Sequence, residues 1–213
     1  NALKIDWNDV LPASKCSYVL GNPPFIGHHL QTAEQKQDQN RIWSGLDASG
    51  VLDFVTCWYA VATNYIRGTA VRASFVSTNS ISQGEQPGIF WPTLLAKGVV
   101  IHFAHRTFKW ESEARGKAHV HVVIIGFGLQ DVSPKTLWEY EGDDGDHGTM
   151  ATVRQLNPYL FEGPPSLLFN RRDPICDVPG MKYGNKPTDG GHFLLTAAER
   201  AELVKAEPAA KKY

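Results

Sequence analysis

Cysteine is scarce: Cys16, Cys57 and Cys176 are the three in a chain of 213 residues. They are odd in number, far apart and never in C-x-x-C spacing, which argues against a disulfide framework or a zinc ribbon and fits a reducing cytoplasm. Long apolar runs are missing as well. No stretch is long enough to span a bilayer, and the N-terminus lacks a basic segment followed by an apolar one, so neither a membrane anchor nor a signal peptide is expected. Surplus charge of either sign is also lacking. With 21 Lys and Arg against 22 Asp and Glu, bulk charge gives no pull toward a polyanion. No internal repeat or low-complexity tract interrupts the chain.

What is present is the composition of an ordinary globular protein, 42% hydrophobic and 20% charged. The length allows one good core and an appendage. "SYVLG" (17–21) reads as a short apolar strand closed by Gly and Pro. "VLDFVTCWYAVATNYI" (51–66) spaces apolar residues by three and four, as a helix with one broad buried face does. "RASFVSTNSI" (72–81) is a second strand, and "PGIFWPTLLAKG" (87–98) has the Pro-first, Gly-last order of a helix that Pro92 must shorten or bend. "VVIHFAHRTF" (99–108) and "AHVHVVIIGFG" (118–128) are two more strands with no helix between them. This order implies the α/β class: a doubly wound, largely parallel sheet ending in an antiparallel hairpin at its edge. The acidic, glycine-rich "EGDDGDHG" reads as a linker over residues 141–150, between a domain at 1–140 and a Pro/Gly-rich segment at 151–213. That segment closes with a helix in "TAAERAELVKAEP".

The first strand runs into "NPPF", Asn22 to Phe25. In doubly wound sheets ligands bind beyond the carboxyl ends of the strands, which is where these residues fall. Pro23 and Pro24 lack N–H donors and fix φ, so the Asn22 amide oxygen and the neighbouring carbonyls are held as rigid acceptors. Phe25 offers a flat apolar face beside them. Together they suit an aromatic amine, whose nitrogen gains positive charge as it attacks an electrophile and is then gripped more tightly by aligned oxygens. An isolated Asn-Pro-Pro is more often a plain turn; its place after a strand in an α/β pattern reverses the odds.

"LGNPPF" resembles the catalytic motif of class I, S-adenosylmethionine-dependent DNA adenine-N6 methyltransferases. The longer runs "VLGNPPFIGHHLQTAEQKQD", "GVLDFVTCWYAVATNYI", "FVSTNSISQGEQPGIFWPTLL" and "IHFAHRTFKWESEARGKAHVHVVIIGFG" are similar to the MmeI-like branch of bacterial restriction-modification enzymes. "NPYLFEGPPSLLFNRRDPICDVPGMKYGNKPTDGG" looks like that branch's passage into its target-recognition domain. The resemblance covers essentially the whole chain. It implies a partial Rossmann-like methyltransferase sheet over 1–140 and the start of a recognition domain over 151–213. It implies that Asn22 and the Pro23 carbonyl hold the N6 of an adenine flipped out of double-stranded DNA, with Pro24 stiffening the turn and Phe25 stacking on the base. Transfer would be a direct displacement of the sulfonium methyl. "NAL" (1–3) resembles the motif that borders the cofactor adenine, with Asn1 where the family usually has an acid. The family's glycine-containing cofactor loop is not found in the sequence, so it is expected in an upstream half of a longer polypeptide, and the chain alone is expected to bind the cofactor weakly or not at all.

Around the hairpin connection Arg106, Lys109, Arg115 and Lys117 interleave with Phe108 and Trp110, a mixture suited to phosphates and bases. By resemblance one ring here packs on the flipped base, with Phe108 the first choice and Trp110 the reserve. Asn79, Ser80 and Gln83 are candidate walls of the same edge, Asp53 a weaker one. His28 and His29, and His119 with His121, lack a third ligand at metal spacing, so packing or hydrogen bonding is expected instead. "NRRD" and "GNKPTDGG" are either DNA-backbone contacts or surface turns. Two alternatives stay open: methylation of a protein glutamine or an RNA base, and a noncatalytic DNA-binding module.

Overall fold

A computed structural model describes residues 1–110, 120–141, 147–171, 173–179 and 194–212. Its strands are β1 (Tyr18–Gly21), β2 (Arg72–Thr78), β3 (Val100–Trp110), β4 (Val120–Gly128), β5 (Lys135–Tyr140) and β6 (Gly148–Val153). Its α-helices are α1 (Trp7–Val10), α2 (Ala33–Ile42), α3 (Thr56–Tyr65), α4 (Gln86–Ala96) and α5 (Ala197–Ala206). The chain divides into two compact units, Asn1–Asn170 and Arg171–Tyr213.

In the first unit six strands form one sheet in the order β1-β2-β4-β3-β5-β6. β1 pairs with β2, and β3 with β5, in parallel; the other pairs are antiparallel. The α/β class and a closing antiparallel pair are therefore present, but the sheet is mixed rather than largely parallel, and the placement of the pair differs. The β3–β4 hairpin lies inside the sheet, because β4 fills the gap between β2 and β3. The pair at the margin is β5–β6, which the sequence reading did not assign. This also corrects the linker at 141–150: Tyr140 pairs with Gly148, so the acidic stretch joins two strands of one hairpin. The break in compactness comes after Asn170.

Helices α3 and α4 supply much of the core. Seven of the ten residues of α3 are buried, Tyr59 and Ala62 completely. Tyr59 stacks on Phe127 with ring centroids 5.2 Å apart and meets Phe75 edge-on at 5.3 Å. Such rings bury on the order of 150–250 Å² each and dominate a core of this size. The one polar atom of Tyr59 is satisfied: its hydroxyl and Ser77 Oγ are 2.9 Å apart in the interior. Helix α3 begins at Thr56 rather than Val51, since the Asp53 carboxylate takes the Val55 N–H at 3.0 Å and turns the chain there. Helix α4 runs on through Pro92 and stops before Gly98, whose φ of +85° is a left-handed conformation that glycine adopts freely. Strand β1 lies at the margin of the sheet and, for all its apolar letters, leaves Tyr18 and Leu20 exposed.

Helix α2 was not foreseen. It is polar, opens with a capping box between Thr32 and Gln35, and buries Asp38 and Gln39 instead of an apolar stripe. The second unit holds α5, which has the same kind of box between Thr196 and Glu199, followed by a 3-10 turn at Pro208–Lys212.

Candidate active site

Strand directions bring the candidate residues to one rim. β2 and β3 are both antiparallel to β4, so they run the same way, and β1 and β5 run parallel to them. The carboxyl ends Gly21, Thr78, Trp110 and Tyr140 therefore share an edge. β1 stops at Gly21, opposite Phe75, while β2 continues to Thr78, so residues 22–25 peel away beside a strand that keeps going. Space at Gly21 is tight. A Cβ at this position would lie 3.2 Å from the Phe75 ring.

Beyond Gly21 the chain places Asn22 exposed, Pro23 buried, Pro24 exposed and Phe25 half-buried against the core. The amide of Asn22 is therefore presented to solvent while the residue after it is anchored. Ile26, next to Phe25, is gripped at both backbone groups. Its N–H donates to Asp53 Oδ1 at 3.2 Å, and its carbonyl accepts from Phe54 N at 3.0 Å and from Gln31 Nε2 at 3.3 Å. Asp53 is buried, and its pKa is raised chiefly by desolvation, with the two backbone N–H donors partly opposing the rise.

The loop after β2 forms a 3-10 turn at Asn79–Ser82 on the same rim, with Thr78 Oγ1 accepting the Ser80 N–H. Asn79 and Ser80 are half-buried and Gln83 is exposed. From β3, Phe108 is 9% exposed, its ring 4.8 Å from Tyr140 and 6.2 Å from Trp110, whereas Trp110 itself is 37% exposed. Trp110 is thus the more exposed of the two rings. Arg106 pairs with Glu139 and lies over the Phe161 ring at 4.1 Å, so its charge is partly held within the protein. It borders two hollows, one of about 480 Å³ with Thr107 and Thr149, the other of about 320 Å³ with Gln83, Tyr159 and Leu168. Lys109 sits on the same strand end. Arg115, Lys117 and His119, and the "GNKPTDGG" stretch, lie outside the described residues.

Asn1 does not join this group through its side chain. Its Oδ1 accepts the Leu3 N–H at 3.0 Å and its Nδ2 donates to Asp38 at 3.4 Å. The His28 and His29 rings pack with centroids 3.7 Å apart. Among the described residues no group of three or more metal-ligating side chains gathers, and no helix is long and apolar enough to cross a membrane. The sequence reading missed Gln31, Gln86, Tyr140 and Phe161. Only contacts across the fold mark them, and no local spacing signals them.

A mixed α/β sheet whose first strand ends at the carboxyl rim in an Asn-Pro-Pro-Phe turn with Asn22 exposed is an arrangement that suits a methyltransferase domain. The chain belongs to the MmeI DNA-methyltransferase domain family, which matches residues 1–139, and residues 162–213 match the MmeI target recognition domain. It is 37% identical to DNA methyltransferase A of Bacillus subtilis (strain 168) over 211 residues, 98% of this chain and 23% of that protein. It superposes with a TM-score of 0.94 and 48% identity on the Type IIL restriction-modification enzyme MmeI solved in complex with DNA, covering 100% of this chain and 28% of that one. The chain spans about a quarter of the length of these relatives.

Proposed function

We propose that this chain carries the base-handling half of a site-specific DNA methyltransferase that moves a methyl group from S-adenosylmethionine to the N6 of an adenine flipped out of double-stranded DNA, as part of a bacterial restriction-modification enzyme working in the cytoplasm. The observation that carries the reading is the exposed Asn22 at the sheet's carboxyl rim, with Phe25 anchored two residues beyond the buried Pro23. Asn22 Oδ1 and the Pro23 carbonyl accept hydrogen bonds from the two N6–H groups, Pro24 stiffens the turn, and the Phe25 ring lies along the base. As N6 attacks, it becomes tetrahedral and cationic, and acceptors fixed in advance stabilise that state without reorganising. Trp110 supplies a second stacking surface, while Arg106, Lys109, Arg115 and Lys117 meet the DNA backbone.

A set of amide and carbonyl oxygens beside an aromatic ring is compatible with a sulfonium cation, so the rim at Asn22 fits the methyl-bearing end of S-adenosylmethionine. When bound, the cofactor supplies an electrophilic methyl group. Asn1 fits less well as its holder, since its amide already serves Leu3 and Asp38. The rest of the cofactor site is assigned to the polypeptide upstream. The catalytic part ends with the sheet, and the recognition part takes up the chain beyond it.

The test is a methylation assay of the full-length polypeptide on unmethylated DNA, with modified bases mapped by sequencing. N6-methyladenine at one sequence context is expected, and Asn22→Ala should abolish it while leaving DNA binding within about 3-fold, because Asn22 acts on the reacting nitrogen rather than on the backbone. Full activity in Asn22→Ala would remove the acceptor role.

A further inference from the structure

We propose that Asp53 is a positioning residue for methyl transfer: its buried carboxylate tethers the backbone next to Phe25 and so holds the base-facing turn in register with the sheet. The inference rests on the reading of Asn22 to Phe25 given above. The two prolines stiffen the turn only up to Phe25; beyond it the chain needs an outside hold. That hold falls on Ile26. Asp53 Oδ1 receives the Ile26 N–H at 3.2 Å and the Val55 N–H at 3.0 Å. The Asp53 N–H in turn donates to Gln86 Oε1 at 3.0 Å, so the tether is anchored to the first residue of α4. From the other side, Gln31 Nε2 donates to the Ile26 carbonyl, to Gln39 Oε1 at 2.9 Å and to the Leu52 carbonyl at 3.1 Å.

A helix cap alone does not account for this pattern. Capping explains the bond to Val55, two residues away, but the bond to Ile26 spans 27 residues of sequence. Nor does a packing role explain it, because a carboxylate that is 5% exposed costs desolvation that an apolar side chain would avoid. The compensating gain lies at Phe25, one residue from the tethered amide, where a displacement of about 1 Å is enough to lower a rate by about 100-fold.

The experiment compares Asp53→Ala, Asp53→Asn, Leu94→Ala and Asn22→Ala in the full-length polypeptide, with saturating S-adenosylmethionine and cognate duplex. kcat, KM for DNA and melting temperature are measured for each. Asp53→Ala should lower kcat about 30- to 100-fold with KM for DNA within about 3-fold, since the turn and not the backbone grip is loosened. Asp53→Asn keeps Oδ1, the atom that accepts both N–H groups, and should restore kcat to within about 3-fold of the parent. Leu94, fully buried in α4, reports plain destabilisation and should leave kcat unchanged at temperatures where the variant is folded.

An unchanged kcat in Asp53→Ala, equal losses in the Ala and Asn variants, or a matching loss in Leu94→Ala would each overturn the tether. If Asp53→Ala does not fold, Gln31→Leu takes its place: a drop of about 5-fold in kcat at unchanged KM supports the hold on Ile26, and no drop overturns it. Asn22→Ala separates the two levels. Continued methylation there defeats the acceptor reading itself, whereas an inactive Asn22→Ala beside a fully active Asp53→Ala defeats the tether alone.

Discussion

Phe108 and Trp110 sit two residues apart at the end of β3, yet their surroundings differ, and substituting each with alanine separates the two roles proposed for them. Phe108 is 9% exposed and touches Tyr140 at 4.8 Å, so Phe108→Ala opens a cavity under the rim and should cost about 3–5 kcal/mol of stability. Trp110 is 37% exposed, so its removal should cost little stability. If its ring stacks on a base, the loss in binding is about 1–3 kcal/mol. That is a weakening of about 5- to 150-fold in Kd. Binding of a duplex with 2-aminopurine at the target position, at one fixed salt concentration, reads the second quantity, and urea denaturation reads the first. The division of roles is refuted if Phe108→Ala weakens DNA binding at full stability while Trp110→Ala binds as the parent does.

Two further outcomes concern the core and its titration. Tyr59→Phe leaves Ser77 Oγ buried without its partner and should destabilise by about 1–3 kcal/mol, whereas Tyr59→Phe with Ser77→Ala should recover most of that, so a urea-monitored double-mutant cycle that comes out additive would contradict the pairing. His102 and His105 both have pKa values lowered by burial, so the fold holds them neutral and the unfolded chain takes up protons first. Stability should therefore fall as pH drops through the ordinary value near 6.5 and level off below the depressed folded values. Comparing denaturation midpoints at about pH 7.5 and about pH 5, His105→Phe, which can still stack between Trp138 and Tyr140, should show a smaller drop than the parent.

The place of the Asn-Pro-Pro-Phe turn, at the end of a strand, could be read directly because its information is local: four consecutive residues carry the acceptors, the stiffness and the ring. Apart from α2, the main strands and helices from Tyr18 to Gly128 were legible for the same reason, since each apolar period reports its own element. Strand β6 escaped because "GTMATV" is a margin strand that is mostly exposed and needs no apolar alternation, and β5 escaped because "KTLWEY" is short and puts Lys135 among its buried residues. Helix α2 escaped because what it buries is polar, so no hydrophobic period marks it. Asp53 looked like a rim residue of little weight. Its meaning lies in an amide far off in sequence, and such a pairing leaves no trace in spacing. Likewise the choice between Phe108 and Trp110 depends on which ring the neighbouring Tyr140 covers, which only the assembled sheet decides.

The polar fastening of α2 has a consequence of its own. Gln39 Nε2 reaches the carbonyls of Ser49 and Leu52, and Arg41 reaches that of Leu3, so the helix is docked by directional bonds more than by buried hydrocarbon. Detaching it would expose little apolar area and carry a small heat-capacity change, unlike melting the sheet. Amide protons of α2 should then exchange through a partial opening, on a schedule separate from that of α3, and the segment that follows the Asn-Pro-Pro-Phe turn gains a degree of freedom that the rest of the core lacks.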